Sequence, residues 1–486
     1  MRPLRLALFV VLAVVAAACA SGAGDDLARD GSTDGTAGSA PSPPSPEEAS
    51  TTTTTAGLPQ AGPLPPSGDC PAVPAQAPPD PARPRYAMDV RVLPGLDAVD
   101  GRLTVRFSPD LPTDRLVFRL WPNGPRPAAA GAHLDAGPVF LGSSAPVATS
   151  QPDPTTLVVP LDPPLQPGEA VEATVPWRLT LPGPSNDRLA VQDGAVRLGS
   201  FFPILAWEPG VGWALEPATS VFGEASTAPV ADFSYSVTVP DGLSVLASGV
   251  PEAGRWEALA VRDVAVSVGR FRTAEGVAHA PWPVKVTVGV HDGLDDDAGA
   301  YLDRVVRSME DFSRRFGPYP YPAHTLALTP GLSGGLEYPG HVMQGPGTIG
   351  RTTSHEVAHL WFYSLVGNNQ GRDPWIDEGL ATWAEARFEG SLAEVAGKGI
   401  PAPAQGRAGE PMTYWETHQD SYYRGTYVQP AQALAALGDP DRVDCALRHF
   451  VATNAFGVAR SGDVVAALAR VFPEAPGVLA GAGISP

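Results

Sequence analysis

From residue 86 onward the apolar residues fall at every second position. Tyr86, Met88, Val90 and Val92 alternate with Ala87, Asp89 and Arg91, and Leu103, Val105 and Phe107 alternate with Arg102, Thr104 and Arg106. Leu116, Phe118 and Leu120 repeat the rule, and Tyr235, Val237 and Val239 repeat it much later. Successive side chains of a strand point to opposite faces, so this spacing predicts strands with one buried and one wet face. Pro94-Gly95, Asp100-Gly101 and Pro240-Asp241-Gly242 punctuate them as turns. An all-β domain is expected over residues 81–275. Val284, Val286, Val288 and Val290 predict a further strand, after which the period lengthens. Leu302, Val305, Val306, Met309, Phe312 and Phe316 lie at helical spacing, and Gly317-Pro318 stops that helix. A mixed α/β domain is expected over 276–437. Two helical patterns, near 441–454 and 461–472, predict a small helical cap over 438–486. The expected fold class is α+β and multidomain.

The start of the chain lacks such patterning. No aromatic residue stands between Phe9 and Tyr86, and residues 20–80 are mostly Ala, Gly, Ser, Thr, Pro and Asp. Such a stretch cannot build a core and reads as a disordered linker. Residues 1–19 read as an export signal, with Arg2 and Arg5 ahead of an apolar run, Leu6 to Ala18, too short to span a bilayer comfortably. Ala16-Ala17-Ala18-Cys19 resembles a bacterial lipobox, with alanine where a large aliphatic residue is usual. The expectation is an exported chain held at the extracellular face of the membrane by lipid on Cys19; a secreted chain is the alternative. Membrane contact is expected through this end alone.

Composition narrows the partners. The chain has 486 residues, 33 Lys and Arg against 52 Asp and Glu, and a net charge of −19. A duplex-binding surface is basic, so nucleic acid is not an expected partner. Beyond Cys19 only Cys70 and Cys445 remain. In an exported chain they make a disulfide or stand as two buried thiols, and the sequence leaves both open.

The candidate chemistry lies at residues 355–359, His-Glu-Val-Ala-His. Two histidines four apart on a helix project from one face and reach one ion, while Glu356 between them reaches a water on that ion. A catalytic zinc takes three protein ligands and keeps one position open. Glu378, in Trp375-Ile376-Asp377-Glu378-Gly379, supplies the third after a turn into a second, antiparallel helix. Glu385 lies seven residues further on the same face; it is either a carboxylate partner for a ligating histidine or a solvated helix glutamate.

Two more segments stand beside these. Gly334-Gly335-Leu336-Glu337-Tyr338-Pro339-Gly340 precedes His355 by about twenty residues, and Ser421-Tyr422-Tyr423-Arg424-Gly425 follows Glu378. Together these residues resemble the aminopeptidase N and leukotriene hydrolase family of gluzincin zinc metallopeptidases, in a bacterial lipoprotein form. The first segment is similar to that family's Gly-x-Met-Glu-Asn motif, with Leu336 for Met and Tyr338 for Asn. The second is similar to its Tyr-Glu-Lys-Gly. The resemblance implies a thermolysin-like catalytic domain and one zinc ion per chain, held by His355, His359 and Glu378, with Glu356 as general base. It implies that Glu337, with Gly334 and Gly335, binds the free α-amine of a peptide. It implies that Tyr422 stabilises the oxyanion, with Tyr423 and Tyr427 near enough in sequence to be confused with it. The expected activity is aminopeptidase action on peptides. The alternatives are a zinc endopeptidase, another zinc hydrolase, or an inactive surface binding protein on the same fold.

Overall fold

A computed structural model describes residues 58–143, 145–222 and 227–486. The expected signal, Cys19 and most of the linker lie outside the described residues.

Strand Arg85–Val92 alternates exposed and buried residues without a break. It pairs antiparallel with Ala98–Phe107 and parallel with Ala231–Thr238, so a strand from far along the chain completes the core of a nine-stranded sheet. Strand Thr113–Arg119 departs from the half-buried expectation. Leu116, Val117, Phe118 and Arg119 are all buried, because this strand is an inner strand of a separate four-stranded sheet and this part of it is covered on both faces. The buried Arg119 donates to Thr155 Oγ1 at 3.0 Å.

The expected domain limit at residue 275 falls inside a strand. Phe271–His279 pairs antiparallel with Pro283–His291 and so belongs to the next sheet. Alternation reveals a buried face but not which sheet owns it. That next sheet has five strands, in the order Phe271–His279, Pro283–His291, Ala323–Leu328, His341–Gln344 and Gly335–Tyr338. The last is an edge strand. Helix Ala298–Phe316 makes the crossover between two parallel strands. Asp297 caps its start by accepting from the Gly299 N–H, and Gly317, at φ 105°, ends it. Its buried residues Tyr301, Val305, Met309, Phe312 and Phe316 follow the helical period.

Two helices carry the site, Arg351–Ala358 and Trp375–Glu389. Pro440–Asn454 and Ser461–Ala469 form most of the C-terminal helical region. The linker expected to reach residue 80 stops sooner. Leu64 and Val73 form a bridge, the Ala77 N–H donates to the Ala452 carbonyl, and Cys70 is bonded to Cys445 with Cα atoms 5.7 Å apart. A covalent tie to a buried helix orders a stretch that has too few apolar residues to order itself.

Candidate active site

His355 sits one turn before the end of its helix, and His359 follows the last helical residue with its backbone still helical. Their Nε2 atoms lie 3.1 Å apart. Glu378 lies in the first turn of helix Trp375–Glu389, where the positive end of the helix favours a carboxylate. Its Oε2 is 3.2 Å from His355 Nε2 and 3.4 Å from His359 Nε2. The three side chains therefore converge on one point, and little of them meets solvent.

Each is oriented from behind. His359 Nδ1 lies 3.0 Å from the Phe362 carbonyl; donating there leaves the Nε2 lone pair to face the cluster. His355 Nδ1 lies 3.4 Å from Glu385 Oε2, and Glu385 in turn lies 3.9 Å from the Arg351 guanidinium. Glu378 Oε1 accepts from the Tyr427 hydroxyl. Of these partners, sequence reasoning named Glu385 and, only as a rival to Tyr422, Tyr427. It missed Phe362, whose contribution is a backbone carbonyl and leaves no signal in residue type. It also missed Asp377, which accepts from Asn368 Nδ2 at 3.0 Å and Gln370 Nε2 at 2.7 Å. Burial, then the charge of Glu378, raises the Asp377 carboxyl to about 7.

At the cluster, burial and charge oppose each other. Burial alone would strip the imidazoles of protons, yet hydrogen bonding to Glu378 and Glu385 raises His355 well above its ordinary value. His359 is raised to about 9, burial being outweighed by the charge of Glu337 and by Glu378. Glu378 is lowered to about 2 against its own burial by the two histidines. A buried pocket where imidazoles hold protons so tightly favours positive charge. Two imidazole nitrogens and one carboxylate oxygen are also the donor set of a catalytic zinc with a position to spare. The residues present fit that metal.

Glu356 is buried, and strand Gly335–Tyr338 runs against it. A Cβ on Gly335 would stand 2.2 Å from Glu356 Cδ, so only glycine lets the strand approach the carboxylate this closely. Glu337, Glu356 and His359 offer atoms within 4.8 Å of one another. Strand alternation puts Glu337 on this side and sends Leu336 and Tyr338 to the other, into a cluster with Ala265, Leu332 and Met343. The Tyr338 hydroxyl ends 3.4 Å from Ser200 Oγ in the β domain. The tyrosine standing in the Asn place of the motif is thus packed away from the cluster. At Gly334, just before the strand, an added Cβ would meet nothing within 4 Å.

Tyr422 is buried, with its ring edge-on to Trp415 at 5.9 Å and to Tyr427 at 5.7 Å. Tyr427 also stacks on the His355 ring, 5.7 Å away and 15° from parallel. Tyr423 packs on Tyr427 as well, with ring centroids 5.1 Å apart.

Compared with solved structures, the chain matches the M1 zinc metallopeptidase from Deinococcus radiodurans with a TM-score of 0.59 and 19% identity, covering 83% of this chain and 94% of that one. The fold is that of the M1 zinc metallopeptidases. A mutant of the Deinococcus protein bound to a Tyr-Ser-Ala substrate shares this M1 fold with a TM-score of 0.61 and 21% identity, covering 83% and 95%. No family profile matches the chain. Among curated proteins it is 23% identical over 292 residues to aminopeptidase B of Homo sapiens, covering 51% of this chain and 43% of that protein. It is 30% identical over 137 residues to aminopeptidase M1-D of Oryza sativa subsp. japonica, covering 25% and 16%. The chain spans less than half the length of these relatives.

Proposed function

We propose that this chain is a zinc-dependent aminopeptidase that hydrolyses the first peptide bond of peptide substrates. The observation that carries the reading is the position of Glu337. Its carboxylate shares one buried group with Glu356 and His359, and His359 in turn belongs to the zinc-type triad with His355 and Glu378. A carboxylate there pairs with the α-ammonium of a peptide and limits how far the peptide enters.

One zinc ion per chain would be held by His355, His359 and Glu378, supplying Lewis acidity toward the scissile carbonyl and acidifying water. Glu356 takes a proton from the attacking water and delivers it to the leaving amine. The Tyr422 hydroxyl is the neutral donor to the developing oxyanion. Gly335–Tyr338 is an edge strand, and the main chain of an extended peptide pairs along such an edge. The N-terminal residues support export with lipid attachment at Cys19. Loss of lipid labelling in Cys19→Ala, with the protein released into the medium, is the outcome expected.

The deciding experiment is a panel of aminoacyl fluorogenic substrates, with and without a chelator. Release that stops with chelator, returns with zinc and is blocked by N-acetylation is expected. Cleavage of N-acetylated peptides at internal bonds would replace this reading with an endopeptidase. Zinc-loaded protein inert on every peptide would sink it.

A further inference from the structure

We propose that Tyr427 is a positioning residue that decides which oxygen of Glu378 is offered to the metal. This rests on the zinc-hydrolase reading above. Glu378 Oε1 accepts from the Tyr427 hydroxyl, while Oε2 faces both imidazole Nε2 atoms at 3.2 and 3.4 Å. The same side chain lies almost parallel on the His355 ring. One tyrosine therefore contacts two of the three residues that converge there. A carboxylate with both oxygens free binds a cation through one oxygen or both; committing one oxygen to a phenol favours the single bond. That leaves the open position on which a catalytic zinc site depends.

The backbone explains how Tyr427 comes to be there. In a regular α-helix, residues five apart stand about 140° apart around the axis. Residues Tyr423–Val428 instead form a π-helical turn, closed by the Gln429 N–H donating to the Arg424 carbonyl five residues back. Such a turn, with its bonds between residues five apart, brings those residues closer together around the axis. Tyr422 and Tyr427 are five apart, and their rings meet at 5.7 Å. Trp415 wedges this turn: a Cβ on Gly425 would stand 2.1 Å from its ring. The turn thus gives one cluster two phenols with separate duties, Tyr422 toward substrate and Tyr427 toward a ligand.

The division of labour is testable without relying on turnover. Tyr427→Phe keeps the ring on His355 and removes the hydroxyl. Titration of the purified variant with zinc against a competing chelator is expected to show affinity weakened about 10- to 100-fold. Melting of the metal-free protein should match wild type. With cobalt(II) in place of zinc, the visible bands should weaken as Glu378 takes a second bond and coordination rises. Tyr427→Leu, which also loses the stacking, should weaken zinc further. Tyr422→Phe should lower kcat while leaving zinc affinity and the cobalt spectrum unchanged. Tyr427→Phe with wild-type zinc affinity and an unchanged cobalt spectrum would overturn the inference. Wild-type protein that binds no zinc would overturn the hydrolase reading and the inference with it.

Discussion

At Glu356, a hydrogen in place of a methyl group on Gly335 is what lets a strand lie against a buried carboxylate. Replacing that carboxylate by its amide keeps the shape and removes the base. Glu356→Gln is expected to lower kcat by about 10²- to 10⁴-fold with zinc content unchanged, as measured by metal analysis beside a fluorogenic assay. The convergence of His355 and His359 was legible because four-residue spacing on a helix puts both side chains on one face. Tyr427 was visible only as a rival to Tyr422, since a π-turn has no residue-type signature. A second residue-scale prediction concerns His324 and His341. Burial lowers His324 to about 3, and burial together with His324 lowers His341 to about 3. His341 bonds Ser267 Oγ and Thr325 Oγ1, whereas neither ring nitrogen of His324 has a hydrogen-bond partner among the described residues. The unfolded chain takes up protons as pH falls through 6.5 and the folded chain does not until about 3. Their contribution is therefore intact above 6.5 and is lost progressively below it, by up to about 1.4 kcal/mol per pH unit for each histidine. Tm should fall between pH 7 and pH 5. His324→Leu should flatten that fall, and an unchanged slope would count against the assignment.

At the scale of elements, patterning predicted well where one face of an element is wet. Arg85–Val92 matches its period residue for residue, and in Ala298–Phe316 four of the six expected positions, Val305, Met309, Phe312 and Phe316, are buried while Leu302 and Val306 are half-buried. It predicted poorly where both faces are covered. Thr113–Arg119 is one case. Helix Trp375–Glu389 is buried nearly all round, so its sequence shows no stripe; it was expected from the distance between His359 and Glu378 instead, and Gly390, at φ 69°, marks its end. The π-turn carries Tyr427, whose hydroxyl bonds Glu378. Gly425→Ala forces a methyl group into Trp415, and overpacking of this kind costs about 1–3 kcal/mol. We expect a lower Tm together with weaker zinc binding, because the turn that shifts is the one carrying both phenols. A variant that melts lower yet binds zinc normally would show that the turn tolerates the strain.

At the scale of the whole molecule, the separation into β, α/β and helical parts was readable from the change in period. The assignment of Phe271–His279 was not, because a strand alternates alike in either sheet. Nor was the partnership of Cys70 and Cys445, which lie 375 residues apart and share no local pattern. Removing it with Cys445→Ser is expected to cost about 3 kcal/mol, read as a lower unfolding midpoint in non-reducing buffer. The bond has a topological consequence as well. It closes almost all of the described chain into one covalent ring, and a ring cut once is still one piece. Any single proteolytic nick between residues 71 and 444 should leave a molecule that migrates as intact on a non-reducing gel and falls into two fragments only when a thiol reductant is added. Fragments that separate without reductant would show that the ring was never closed.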